Sequence, residues 1–187
     1  IPLGPERSLA GQTNLGADIM MAFDVCPPAA EGPDDPPAVR AAFRRRLEVA
    51  VDRTTAWLHR CVAAHGSPSS QSLFGIVQGG PHEDLRTASA KAITSVELPG
   101  YAIGGVATGE SPEVIHRIVA HTAPLLPAEK PRYLMGVGFE RDLVSAVRSG
   151  MDMFDCVLPT RNGRNAGAFT REGRIQLRNA RFREDDT

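Results

Sequence analysis

The sequence predicts an α/β fold: part of a (β/α)8 TIM barrel, an incomplete barrel of about five βα units, with a C-terminal β-hairpin. Three observations carry this. Apolar runs of strand length are followed, again and again, by longer amphipathic stretches. The runs are continuous rather than alternating, as expected when helices cover both faces of a parallel sheet. Polar or glycine residues close several runs, namely Asp24, Gln78, Gly104-Gly105 and Asp155, and the C-terminal rim is where barrel sites sit. No GxGxxG opens a helix, which disfavours a dinucleotide-binding sheet. Five strands cannot close an eight-stranded barrel, so the first strands are expected outside this chain or from partner chains.

The elements follow in order. Residues 17–23 read as a strand. After the Pro-rich loop 27–37, a long helix is expected from Ala38 to His65, with Val39, Phe43, Leu47, Val51 and Leu58 at helical spacing and Gly66 ending it. Residues 73–78 form the next strand, and helix 82–95 follows with Leu85, Ala88, Ala92 and Ile93 on one side. A third strand is expected at 101–106. Ser111 and Pro112 supply a capping hydroxyl and a first-turn proline for the next helix. Residues 132–137 are a fourth strand, 140–149 a helix, and 151–156 a fifth strand. Beyond Thr160, segments 167–170 and 174–178 flank Arg171-Glu172-Gly173, a hairpin signal in which Gly173 takes a positive φ. The expected division is a partial barrel over 1–160 and a basic hairpin segment over 161–187.

At 187 residues, one domain or slightly more is expected. Hydrophobic residues at 42% and charged residues at 23% exclude a disordered tail, a collagen and a coiled coil. No apolar run is long enough for a membrane-spanning helix. The first residues, IPLGPERSLAG, lack the basic and apolar regions of a signal peptide, and with no initiator Met the natural start is expected upstream. Cys26, Cys61 and Cys156 form no CxxC pair, and their odd number suits reduced thiols in a cytoplasmic protein. No His lies at metal-ligand spacing with a Cys, so no zinc site is expected within the chain. Residues 161–187 carry seven arginines against four acids on an otherwise mildly acidic chain. That is a hint of an anionic partner, or a solvated surface.

Asp155 closes an apolar strand, where a carboxylate serves as nucleophile, base or loop anchor. Asp24 closes another, and two carboxylates at one rim suit acid, base and nucleophile roles, or the bonding of loop amides. The Gln78 amide both donates and accepts, which suits the edge of a heterocycle or the anchoring of a loop. Gly104-Gly105 allows close backbone approach to a ligand, or simply a tight turn. Arg161 and Arg164 are candidate phosphate contacts or solvated charges. Asp152, near a strand start, is expected to cap or pair at the surface.

Five segments together resemble one family: residues 21–28 (MAFDVCPP), 73–80 (LFGIVQGG), 100–110 (GYAIGGVATGE), 132–138 (RYLMGVG) and 151–165 (MDMFDCVLPTRNGRN). In this order, across essentially the whole chain, they are similar to tRNA-guanine transglycosylase, also called queuine tRNA-ribosyltransferase. The resemblance implies a TIM barrel that exchanges guanine at the anticodon wobble position of tRNA for a 7-deazaguanine. It implies Asp155 as the nucleophile forming a covalent ribosyl intermediate. Asp24, Cys26, Gln78, Gly104, Gly105, Val106, Tyr133 and Met135 would form the base site, and Arg161 and Arg164 would contact the anticodon loop. Cys26 follows the bacterial pattern, which points to preQ1 as the incoming base, whereas Val25 and Thr108 depart from the usual residues. The family's general acid/base Asp and its Cys-rich zinc site match no segment of this chain. Zn2+ and a homodimer are therefore expectations for the full-length protein. The alternatives are a paralogue acting at another tRNA or DNA position and a non-catalytic tRNA-binding accessory subunit. Accessory subunits tend to lose the nucleophile, and Asp155 is present. An aldolase-type barrel would need a strand-end Lys, which neither Lys91 nor Lys130 supplies.

Overall fold

A computed structural model describes residues 3–29, 35–66, 70–171 and 173–184. Five strands form one parallel sheet in strict chain order: β1 (Ile19–Met21), β2 (Ser72–Val77), β3 (Gly100–Ile103), β4 (Arg132–Leu134) and β5 (Met153–Phe154). Between them run α2 (Pro37–His65), α3 (Glu83–Thr94), α4 (Pro112–Thr122) and α5 (Glu140–Arg148). Sequential order without a reversal makes this a singly wound sheet, the winding of a curled half-barrel rather than of a doubly wound fold. The antiparallel hairpin β6 (Gly167–Thr170) and β7 (Gly173–Gln176) follows, with Gly173 at φ 113°.

The core lies between strands and helices. Leu58, Cys61, Val77, Ile93, Ile103 and Leu134 are essentially inaccessible within it. Phe43 and Leu47 of α2 pack with Leu85 of α3 in a second, smaller cluster. Ser111 caps α4 by accepting from the Val114 N–H at 3.5 Å, and His116 bonds the buried Asp142 at 2.8 Å, tying α4 to α5. Asp152 accepts from the Arg132 N–H at 2.9 Å, the structural contact expected of it.

Several sequence expectations are corrected. Val39 stands exposed in the first turn of α2, beyond the reach of the sheet. Ala88 is exposed too, because the buried face of α3 is built from Leu85, Arg86, Ser89, Ala90 and Ile93. The paired strands are shorter than the apolar runs. Gly105 at φ 62° and Gly136 at φ 77° turn the chain off the sheet after Ile103 and Leu134, although Val106 and Val137 beyond them remain buried.

Two helices were not signalled by periodicity. In α1 (Pro5–Leu15) only Pro5 and Leu9 are buried, so it carries almost no apolar stripe. It packs on α2 through the Glu6–Arg60 ion pair at 2.7 Å. Its Gln12 side chain accepts from the Met21 N–H at 2.8 Å and donates to the Met21 carbonyl at 3.0 Å. That amide satisfies both Met21 backbone groups on the side of β1 away from β2. Short α6 (Leu158–Arg164) contains two arginines and a glycine where an apolar face would be sought.

Candidate functional site

The register places the chemistry. Val77, Ile103, Leu134 and Phe154 are mutual partners across four strands. The next residue on each strand is Gln78, Gly104, Met135 and Asp155, so these four form the first row beyond the sheet, at its C-terminal rim. Asp24 follows β1 by three residues and joins the same rim.

At one end of the row lies a polar cluster. The Gln78 side chain, 2% exposed, donates from Nε2 to Asp24 Oδ2 at 2.6 Å, while its backbone N–H donates to Ser89 Oγ at 3.0 Å. Burial pushes the Asp24 carboxyl above the usual aspartate value, and the Gln78 hydrogen bond partly offsets this. The Cys26 thiol is pushed up by burial and by the nearby Asp24 and Glu110 charges. Gly104 and Gly105 lie directly against Gln78. A Cβ on Gly104 would come 2.7 Å from Gln78 Nε2, and one on Gly105 would come 2.3 Å from Gln78 Oε1. The glycines therefore make room for the glutamine amide, a reason for Gly-Gly that neither local reading had offered. Val106, which follows them, is buried as a whole residue within the core.

Arg86 is the residue that sequence reasoning missed. A cation on a helix reads as solvated, yet its side chain is completely buried behind the rim. Its guanidinium donates to the carbonyls of Gly80 (2.9 Å), Val77 (3.1 Å), Gly104 (2.6 Å) and Gly105 (2.7 Å). Burial pulls its pKa down to about 10, with Glu110 and Cys26 opposing, so it remains a cation near neutral pH.

At the other end of the row, Asp155 is exposed, and its Oδ1 accepts from the Gly136 N–H at 2.9 Å. The Tyr133 phenol faces the same carboxylate; burial, and then that charge, hold it above its ordinary pKa. Tyr133 and Met135, two residues apart along the chain, project from one face. The Met135 sulfur lies 3.5 Å from the Cβ position of Gly104, bridging the two clusters. Arg161 and Arg164 stand exposed on α6, and Arg161 lines a cleft of about 310 Å³ together with Glu110, Gly136 and Cys156. Of the eleven residues singled out from the sequence, Asp24, Cys26, Gln78, Gly104, Gly105, Val106, Met135 and Asp155 lie along or just past the strand ends, Tyr133 lies within β4, and Arg161 and Arg164 lie on α6.

The arrangement can do two things chemically. A carboxylate braced by an amide can accept N–H donors from a heterocycle. A tethered, exposed carboxylate can attack or stabilise a neighbouring electrophilic centre. Among the described residues, no group of three or more His, Cys, Asp or Glu could hold a metal ion. Cys26, Cys61 and Cys156 sit apart as free thiols, so these residues do not supply a zinc ligand set. Among the described residues, no helix is long and apolar enough to cross a membrane.

Comparison with known proteins agrees with the geometry. The sequence model of the family described as Queuine tRNA-ribosyltransferase matches residues 1–187. The chain is 54% identical over 185 residues to a protein of that name from Synechococcus elongatus, covering 99% of this chain and 45% of the relative. It is 53% identical to one from Nostoc sp. over 185 residues (99% and 46%), and 51% identical to one from Bacillus subtilis over 183 residues (98% and 45%). The chain thus spans somewhat less than half the length of these relatives. With the family model matched from end to end and the rim residues in one row, this chain belongs to the queuine tRNA-ribosyltransferase family.

Proposed function

We propose that the protein containing this chain is a tRNA-guanine transglycosylase that exchanges the anticodon wobble guanine for a 7-deazaguanine, preQ1, through a covalent ribosyl-Asp155 intermediate. The observation that supports this reading is the rim row: a polar cluster of Asp24, Gln78 and Gly105 on the same rim as the tethered Asp155.

In this reading a carboxylate oxygen of Asp155 bonds to ribose C1′ as the C1′–N9 bond breaks, and the electron pair leaves with the purine. The incoming base then attacks C1′, displaces Asp155 and restores the original anomeric configuration, as in retaining glycoside hydrolysis. The Gly136 N–H orients the carboxylate, and the Tyr133 phenol lies close enough to feel its charge. Asp24, whose carboxylate Gln78 braces, accepts the donor edge of guanine, and a base without those donors leaves Asp24 unpaired. The target nucleotide must leave its stack to reach a site on the rim. Arg161 and Arg164, exposed beside the rim, would contact the RNA backbone and make binding salt-dependent. Assembly of the full protein as a homodimer belongs to the same proposal, and light scattering would test it.

The test uses Asp155→Asn in the full protein with substrate tRNA. Wild type gives a covalent RNA–protein band on a denaturing gel when guanine exchange is stalled, and the variant gives none. A band of wild-type intensity from the variant would remove Asp155 from its assigned role.

A further inference from the structure

We propose that Arg86 is a positioning residue that locks the Gly104–Gly105 and Gly105–Val106 peptides with their N–H groups facing the base, so that the site selects a base bearing a carbonyl over one bearing an amine at that edge. The inference rests on the base-exchange reading above.

The geometry begins with where the guanidinium points. It donates to the Gly104 carbonyl at 2.6 Å and to the Gly105 carbonyl at 2.7 Å. A trans peptide is planar, with its C=O and N–H on opposite sides. Drawing both carbonyls back onto Arg86 therefore turns the Gly105 and Val106 N–H groups the other way, toward the rim. Among the described residues neither N–H has an acceptor. Two neighbouring amide donors without an acceptor, beside a buried amide and a carboxylate, form a complementary edge for a heterocyclic carbonyl next to N–H donors. Gly105, at φ 62° and without a Cβ, is where such peptides would flip most easily. Flipping them would remove two hydrogen bonds from a buried charge, each worth about 1.5–3 kcal/mol. Two further bonds, to the Val77 and Gly80 carbonyls, anchor the same guanidinium to the β2 loop. The lock therefore cannot shift without disturbing Gln78 as well. The cation also polarises both peptides, strengthening their N–H groups as donors toward a base that gains negative charge as it departs.

The test measures guanine exchange into tRNA, and its competition by free purines, in the full protein. In wild type, 2,6-diaminopurine should compete less well than 2-aminopurine. The two differ only in the amine that would face the two N–H groups. Equal or better competition by 2,6-diaminopurine would mean the donors do not face the base, and would overturn the proposal without any variant. Arg86→Lys and Arg86→Met should then lower the preference for guanine over 2,6-diaminopurine by about tenfold or more, the size of one charged hydrogen bond. The loss should appear mainly in the KM for guanine, and Lys should retain more of the preference than Met. An unchanged preference with parallel losses for both bases would make Arg86 a purely structural residue and overturn the proposal. Wild-type protein that incorporates no guanine would refute the exchange reading instead. Calorimetric binding of the same three purines would then still decide whether Arg86 sets the donor direction.

Discussion

Replacing Gly105 with Ala tests the packing of the proposed base site most directly. The added Cβ would lie 2.3 Å from Gln78 Oε1, and the residue sits at φ 62°. An L-residue held in left-handed backbone costs about 1–2 kcal/mol. The clash cannot be relieved by moving the backbone, because Arg86 holds the Gly105 carbonyl at 2.7 Å. Gln78 must move instead, and its 2.6 Å bond to Asp24 is broken. A hydrogen bond to a charged group is worth about 1.5–3 kcal/mol. The two costs act on different observables. Backbone strain lowers the melting temperature by a few degrees. Loss of the Gln78–Asp24 bond lowers kcat/KM for guanine exchange by roughly 10- to 150-fold, at about 1.4 kcal/mol per factor of ten. The assay is incorporation of radiolabelled guanine into tRNA, with a calorimetric melt of the same preparation. A variant that melts a few degrees early yet exchanges guanine at the wild-type rate would refute the view that Gln78 and Asp24 act as one base-gripping unit.

Two further outcomes follow from the electrostatics of the rim. Burial raises the Asp24 pKa, so the folded protein takes up this proton at a higher pH than the unfolded chain does. Between the ordinary and the raised pKa, protonating Asp24 makes stability rise as pH falls, while base binding, which needs the carboxylate as acceptor, weakens over the same window. Guanine affinity titrated downward from neutral pH should thus fall with a midpoint above the usual aspartate value, and a midpoint at or below it would contradict the burial argument. Tyr133→Phe removes the polar hydroxyl that faces the Asp155 charge and leaves the Gly136 contact. Covalent adduct formation should slow by about tenfold with little change in guanine KM, and an effect on KM alone would place Tyr133 against the base rather than behind the nucleophile.

Much of this molecule was legible before any coordinates. The strands announce themselves as apolar runs because helices cover the sheet. Pro112, Gly66 and Gly173 mark ends and turns through backbone chemistry that depends on few neighbours. Asp24, Gln78 and Asp155 stand out because each is a polar group that closes an apolar run, and the specific 151–165 segment supplied the family. Helix α1 has no apolar stripe to read, because its tie to β1 runs through the Gln12 amide.

The sequence by itself determined the order of the elements, the singly wound class and the rim residues, since each is written in local periodicity or in the residue that ends a strand. Tertiary structure alone decided that Gln78 grips Asp24 across 54 residues of chain, that Gly105 is small for the sake of Gln78, and that a helical arginine lies buried against four carbonyls. These depend on strand register and on which face of α3 meets the sheet. The free energy of burying a charge is settled by partners that no local pattern names.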